Sequence, residues 1–289
     1  MPEGIKDIRL QEYAPKAFES YIPSNSGIKK AIKKGLFLTN GDISKTGTWV
    51  NTGQIIELIE DITHKPKIFE FNFEVVFEDE HMAVINKPAG ITVSGNSFKT
   101  VYNALPFNLK KSSEPDGLYR PTPVHRLDNQ TSGLLLIAKT KTAQIELGKQ
   151  FNNQTIQKKY CTIVMGEVHA NRIINSPIEN KQSETNFEII RVAKSLKYKE
   201  LTCLKVYPKT GRTHQIRIHL SSIGHPILGD KLYGDKENLH KGKGLFLCAS
   251  EITFMHPKTF QTTHLKTETP NKFISLLNRE KRRWNTYNL

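Results

Sequence analysis

His125-Arg126-Leu127-Asp128-Asn129-Gln130-Thr131-Ser132-Gly133 runs without a break into the apolar segment Leu134-Leu135-Leu136-Ile137-Ala138. A carboxylate follows a basic pair, a Thr-Ser-Gly turn follows the carboxylate, and five apolar residues follow the turn. Turn-forming residues beside a short apolar run read as a loop that presents one acid and is anchored by a buried strand. Asp128 is then either a reactive carboxylate or a turn residue bonding nearby amides, as Asp commonly does in loops. A motif this short does not decide between the two.

Working outward, Phe73 to Asn86 reads as two strands around a turn at Glu78-Asp79-Glu80-His81. The second strand, Met82-Ala83-Val84-Ile85-Asn86, enters Lys87-Pro88-Ala89-Gly90, where Pro and Gly force a loop. Lys110 to Pro123, rich in Pro, Ser and Gly, reads as a surface loop leading into His125. Downstream, Thr142 to Phe151 has helical periodicity through Ile145, Leu147 and Phe151. Ile156 to Val168, which carries Lys158-Lys159-Tyr160, reads as a strand, as do Asn186 to Val192 and Leu201 to Tyr207. Strands with few helices between them predict an α+β fold, with a mixed, mostly antiparallel central sheet and flanking helices and loops. The basic end Arg279-Glu280-Lys281-Arg282-Arg283-Trp284 reads as a solvated terminus.

Residues 1–65 read as a small separate α+β unit and 66–289 as the main domain, with His64-Lys65-Pro66 as the linker. Ser26 to Leu36 has helical spacing. Ile28, Ile32 and Leu36 fall on one face, Lys30, Lys33 and Lys34 on the other, and Lys29 at the border. Four ammonium groups on so short a helix suit a phosphate backbone, although a Lys-rich face can also be merely solvated. Leu36-Phe37-Leu38-Thr39 reads as a strand, Asn40-Gly41 as a hairpin turn, Ile43 to Val50 as the return, and Ile55 to Ile59 as a closing strand.

Lys and Arg number 42 against 28 Asp and Glu, a formal net charge of +14. That excess points to a polyanionic partner, nucleic acid before a membrane surface. Cys161, Cys203 and Cys248 lack metal-ligand spacing and are odd in number, so neither a zinc site nor a disulfide framework is expected. Reduced thiols and the absence of an apolar signal segment suggest a cytoplasmic protein. No apolar run approaches the roughly 18 residues of a membrane span.

The second dense stretch is Pro208-Lys209-Thr210-Gly211-Arg212-Thr213-His214-Gln215-Ile216-Arg217-Ile218-His219-Leu220. Gly211 ends a strand and Thr213 is placed to cap a helix. On that helix His214, Arg217 and Ser221 share one stripe, and Ile216, Leu220 and Ile223 another. Alternation also allows a strand. His214, His219 and His225 match no metal-ligand pattern, so no metal is expected. An Arg at the helix start can reach an acid on another loop. It would keep that acid ionised, as a carboxylate nucleophile requires, or form an ordinary buried ion pair.

Together these blocks resemble the RluA family of RNA pseudouridine synthases. The resemblance rests on Asn86 to Gly90, His125 to Lys139, Lys159-Tyr160, and Pro208 to Leu220 with Gly224-His225-Pro226-Ile227-Leu228-Gly229-Asp230. Phe246-Leu247 and Met255-His256-Pro257 complete it, so that it covers about residues 70–270 in family order. Cys248 stands where the family commonly has His. The first 65 residues resemble, in degenerate form, an RNA-binding module of a small-subunit ribosomal protein. There Leu38-Thr39-Asn40-Gly41 matches the turn, lysines replace the usual arginines, and the first helix, near Tyr13 to Ile22, is interrupted by Pro15 and Pro23.

The resemblance implies that uridine in ribosomal or transfer RNA is isomerised to pseudouridine with no cofactor. The sequence shows no sign of an obligatory protein partner, and a monomer is expected. The resemblance also implies that Asp128 is the essential aspartate, that Tyr160 stacks on the base, and that Arg217 rather than Arg212 pairs with the aspartate. Arg126 would fill the gap left by the flipped base. Ile216 and Leu220 would form an apolar wall, while His125, Lys87, Arg212 and the lysines at 29, 30, 33 and 34 would serve RNA binding. One rival reading is a non-catalytic RNA-binding or assembly protein; Asp128, Tyr160 and Arg217 together exceed what binding needs. Another is a carboxylate-dependent glycoside or nucleoside hydrolase. It would need a second acid, for which Asp230 and Asp235 are the candidates.

Overall fold

The computed structural model describes residues 7–287 apart from 20, 23, 60–67 and 235–241. The chain divides into two compact units, Met1–Pro66 and Lys67–Leu289. The expected linker His64-Lys65-Pro66 and the candidate acid Asp235 lie outside the described residues.

In the first unit β1 (Ile8–Arg9) leads into α1 (Leu10–Ala17) and α2 (Asn25–Lys33). Then come β2 (Phe37–Thr39), β3 (Asp42–Ile43), β4 (Trp49–Val50) and β5 (Ile56–Leu58). The first helix starts earlier than its expected place near Tyr13 and carries Pro15 inside it. Ser24 caps α2 by accepting from the Gly27 amide. Ile28, Ala31 and Ile32 are buried against Leu10, Ala14, Phe37 and Val50, while the four lysines are exposed. Asn40 and Gly41 both take positive φ, as the primed two-residue hairpin turn between β2 and β3 requires. The return strand is shorter than expected: β4 pairs with β1, and β5 closes on β2.

The second unit begins with β6 (Glu74–Glu78), β7 (Met82–Lys87), α3 (Val101–Asn108), β8 (Gly117–Pro123), β9 (Ser132–Thr140) and α4 (Lys141–Asn152). It continues with β10 (Gln157–Met165), β11 (Arg172–Asn175), β12 (Glu184–Ser195), β13 (Lys199–Pro208) and α5 (Gln215–Ser222). It ends with β14 (Leu247–Met255), β15 (Thr262–Lys266) and α6 (Asn271–Tyr287). One sheet runs β11-β12-β13-β10-β14-β9-β7-β6, with β15 on β14 and β8 on β9. Among the strands of this sheet in the described residues only the β14–β9 pairing is parallel, so the α+β fold with a mixed, mostly antiparallel sheet is the one expected.

The apolar run Leu134–Ala138 is continuous because β9 is covered on both faces. Leu135 and Ile137 pack toward Val101, Ala104 and Leu105 of α3; Leu134 and Leu136 pack toward Leu147 of α4. Gly133 belongs to this strand rather than to a free turn. A Cβ there would lie 2.2 Å from the Ala249 carbonyl oxygen, at φ +114°, so only glycine lets β9 meet β14.

Two expectations are corrected. Half of the stretch read as a surface loop, Gly117–Pro123, is strand β8; it pairs only with β9, and Pro is tolerated where one backbone edge is unpaired. The basic end is not a free tail but part of helix α6, in which Lys281, Arg282 and Arg283 are exposed while Glu280 is buried. Phe273, Leu276 and Leu277 are buried in the core, and the buried Glu280 carboxylate accepts from Ser195 Oγ at 2.6 Å and from Arg279.

Candidate active site

The loop between β8 and β9 is fixed before it presents anything. Leu127 is buried beneath it, and the Thr131 amide donates to the Asp128 carbonyl at 3.1 Å to close a turn. The Asn129 carbonyl accepts from the Gly90 amide at 2.7 Å and from Lys87 Nζ at 3.3 Å. Lys87 is fully buried and also donates to the Pro88 and Ile91 carbonyls. Burial brings its ammonium down to about 8 against the pull of Asp128. Lys87 therefore ties two loops together from inside and is not available to RNA, contrary to its expected place among the RNA-binding residues.

His125 is likewise turned inward. Its Nε2 accepts from the Leu136 amide at 3.0 Å, and its ring lies 4.7 Å from that of Phe151. Burial first, and the Lys158 charge second, bring the imidazole down to about 3, so it is neutral and shapes the loop. Arg126, the next residue, is exposed, and no hydrogen bond or ion pair holds its guanidinium among the described residues.

The second constellation is a helix, α5, and not a strand. Its start is not capped by Thr213. His214 stands at the cap in the left-handed region, φ 55°, and caps with no side-chain bond. The turn is held instead by buried Gln215, whose Oε1 accepts from Thr210 Oγ1 and the Arg212 amide. The Gln215 Nε2 donates to the Glu184 carbonyl and Thr185 Oγ1 of β12.

The predicted stripe of His214, Arg217 and Ser221 all meets residues 230–233. His214 Nδ1 pairs with the Tyr233 hydroxyl at 3.0 Å, and Ser221 Oγ donates to the Tyr233 carbonyl. Arg217 donates to Asp230 through Nε at 2.7 Å and Nη2 at 2.8 Å. The remaining Nη1 of Arg217 points to Asp128 Oδ2 at 3.3 Å, and His214 Nε2 lies 3.8 Å from Asp128 Oδ1.

Asp230 thus clamps the arginine, and Asp128 receives its free end. Burial opposes the ionised form of Asp230. Bonds from Arg217 and the Leu232 and Tyr233 amides outweigh burial and hold its carboxyl below the usual range. A hydrolase of two acids needs one carboxyl that stays protonated. Asp230 flanks Arg217 in a second cavity shared with Asp128, but its chemistry is the opposite of that requirement.

A cavity of about 270 Å³ gathers Arg126, Asp128, Tyr160, Arg212, Ile216 and Arg217 on one wall system. Tyr160 projects from β10, where a register shift against β14 falls between Lys159 and Tyr160. Burial, then the neighbouring Asp128 charge, raises its phenol, so it remains protonated and can stack without ionising. Arg212 is bonded through Nε and Nη2 to the Gln182 carbonyl, leaving Arg217 as the partner of Asp128. Leu220 is fully buried in the core under α5 and is not part of the cavity wall, because it lies four residues beyond Ile216, deeper along the helix. Val124, Phe151, Pro208 and Leu247 supply the apolar lining with Ile216. Sequence reasoning passed over Gln215, Tyr233, Lys158 and the clamping role of Asp230. A Gly-Asp turn following an Arg-bearing helix was the available signal for the last of these.

Among the described residues no group of three or more His, Cys, Asp or Glu side chains is placed to hold a metal ion. His219 is buried and bonded to Thr185 Oγ1, and His225 Nδ1 meets the Met165 carbonyl, so the three histidines face different neighbours. No helix of the described residues is long and apolar enough to cross a membrane.

A family model described as RNA pseudouridylate synthase matches residues 81–222, a span that contains Asp128, Tyr160 and Arg217. An uncharacterized RNA pseudouridine synthase of Aquifex aeolicus is 34% identical, over 95% of this chain and 94% of its own. Ribosomal large subunit pseudouridine synthase C of Vibrio parahaemolyticus is 32% identical, over 86% of this chain and 82% of its own. Two solved structures share the fold. Human RNA pseudouridylate synthase domain containing 1 has a TM-score of 0.55 at 21% identity, covering 74% of this chain and 98% of that one. Human RNA pseudouridylate synthase domain containing 4 has a TM-score of 0.54 at 22% identity, covering 72% and 93%. The chain belongs to the RluA family of RNA pseudouridine synthases, and is by class an isomerase.

Proposed function

We propose that this enzyme isomerises uridine to pseudouridine in ribosomal RNA, in the cytoplasm, with Asp128 as the reacting carboxylate. The observation that carries the reading is the placement of Asp128. It lines a largely apolar cavity, with a buried, clamped arginine at 3.3 Å and the ring of Tyr160 in the same cavity. The ribosomal substrate is suggested by relatives named ribosomal large subunit pseudouridine synthases C and D.

The reaction breaks the bond from ribose C1′ to N1 of uracil and forms one from C1′ to C5; C5 gives up its hydrogen as a proton and N1 takes up a proton from solvent. The target base must first leave its stack, at a cost of a few kcal/mol. Stacking on Tyr160 returns roughly 1–3 kcal/mol, and Arg126, exposed at the cavity, fills the vacated space. Asp128 acts at the sugar or the base while Arg217, locked to Asp230, holds it in place. Enclosure strengthens these charges where the transition state develops. Both bonds are made and broken within one pocket, so the chemistry calls for no cofactor.

The test is tritium release from ribosomal RNA labelled at uridine C5. Asp128→Asn is expected to abolish release while binding RNA within a few-fold of the wild type.

A further inference from the structure

Among the described residues, Lys158 is a cation in the cavity with no charge to balance it. It sits two residues before Tyr160 on β10, so both side chains emerge on the same face, about 6.6 Å apart along the strand. Lys159 between them goes the other way, to Glu251 at 2.7 Å. Lys158 lines the cavity and is only partly exposed, yet among the described residues it has no hydrogen bond and no ion pair. Its Nζ would lie 3.9 Å from a Cβ added at Gly211, so it stands against the loop that enters α5. Burial holds its ammonium below the ordinary lysine range, as expected of a desolvated charge without a counter-charge.

The charge count of the cavity points the same way. Among the described residues Arg126, Lys158, Arg212 and Arg217 line it, against one carboxylate, Asp128. Arg217 is already matched by Asp230 and Asp128. Neither Arg126, Lys158 nor Arg212 has a carboxylate within ion-pair distance among the described residues. A uracil ring is neutral and needs no such excess; a phosphate does.

We infer that Lys158 binds the backbone phosphate adjoining the flipped uridine, setting the depth at which the base meets Tyr160. This rests on the pseudouridine synthase reading and adds a phosphate contact inside the cavity. Partly burying an unpartnered ammonium destabilises the free protein, and the phosphate supplies the missing charge only in the complex.

The test uses the full chain and large-subunit ribosomal RNA transcribed with uridine tritiated at C5. Lys158→Met keeps the length of the side chain and removes the charge. It is expected to melt at or above the wild-type temperature, and to lower kcat/KM about 10- to 100-fold, the effect of losing one charge-assisted bond. The slope of log binding constant against log salt is expected to become shallower by about 0.7, one phosphate on a single strand. Lys158→Arg is expected to restore both in large part. Wild-type kcat/KM in Lys158→Met overturns the inference, as does lost activity with an unchanged salt slope, or a lowered melting temperature. If the wild type itself releases no tritium, the functional reading fails, and the binding slope alone decides the phosphate contact.

Discussion

His125 and Asp128 lie three residues apart and have opposite fates. His125 accepts at Nε2 from the Leu136 amide, and its imidazole is brought down to about 3 by burial and then by Lys158. Asp128 faces the cavity and the free end of Arg217. The histidine carries a consequence for stability. In the unfolded chain an imidazole titrates near 6.5. Between pH 6.5 and 3 the unfolded chain therefore binds a proton that the folded chain refuses, and stability falls as pH falls. Melting temperature is expected to drop from pH 7 to pH 5, before the depressed carboxyls of Asp79, Asp116 and Asp230 begin to protonate. His125→Gln, which keeps an acceptor for Leu136, is expected to flatten that drop. Part should remain, because burial also lowers His219. An identical pH slope in the variant would show that His125 is not the neutral anchor.

At the scale of elements, the site depends on α5 being locked to the segment after it. Arg217 is aimed by Asp230, and the turn before it by Gln215 reaching β12. Asp230→Asn takes from the buried guanidinium the closer of its two carboxylates and leaves only Asp128 at 3.3 Å, a loss of up to about 3–5 kcal/mol by comparison with other broken buried pairs. It is expected to lower the denaturation midpoint and reduce tritium release together, although Asp230 touches no substrate in this account. A variant of full stability and full activity would remove the clamp from the mechanism.

Much of this level was legible in the residues. The buried run after Gly133, the stripe of His214, Arg217 and Ser221, and the mixed sheet follow from periodicity and turn chemistry. What was not legible came from partners far away in sequence. Lys87 reads as a basic loop residue until Asn129, 42 positions on, is seen to accept from it. Leu220 reads as cavity wall until α5 is seated on its core. Gly133 reads as a turn glycine until β14 arrives beside it.

For the whole molecule the dominant quantity is charge, a formal +14. In the first unit, Lys29, Lys30, Lys33 and Lys34 are exposed on and just after α2, opposite the buried Ile28 and Ile32. We propose that this unit binds RNA through that face. Replacing all four lysines by alanine should leave its core intact, weaken RNA binding, and make the salt dependence shallower in proportion to the phosphates released. An unchanged salt slope would mean that the lysines only solvate the helix.

The account turns on whether the carboxylate at the foot of the β8–β9 loop does the chemistry. The most direct measurement is single-turnover release of tritium from C5-labelled ribosomal RNA by wild type and Asp128→Asn, with RNA binding measured on the same preparations. The account predicts release by the wild type, none above background by the variant, and dissociation constants within a few-fold of each other. Release by Asp128→Asn at the wild-type rate would contradict it.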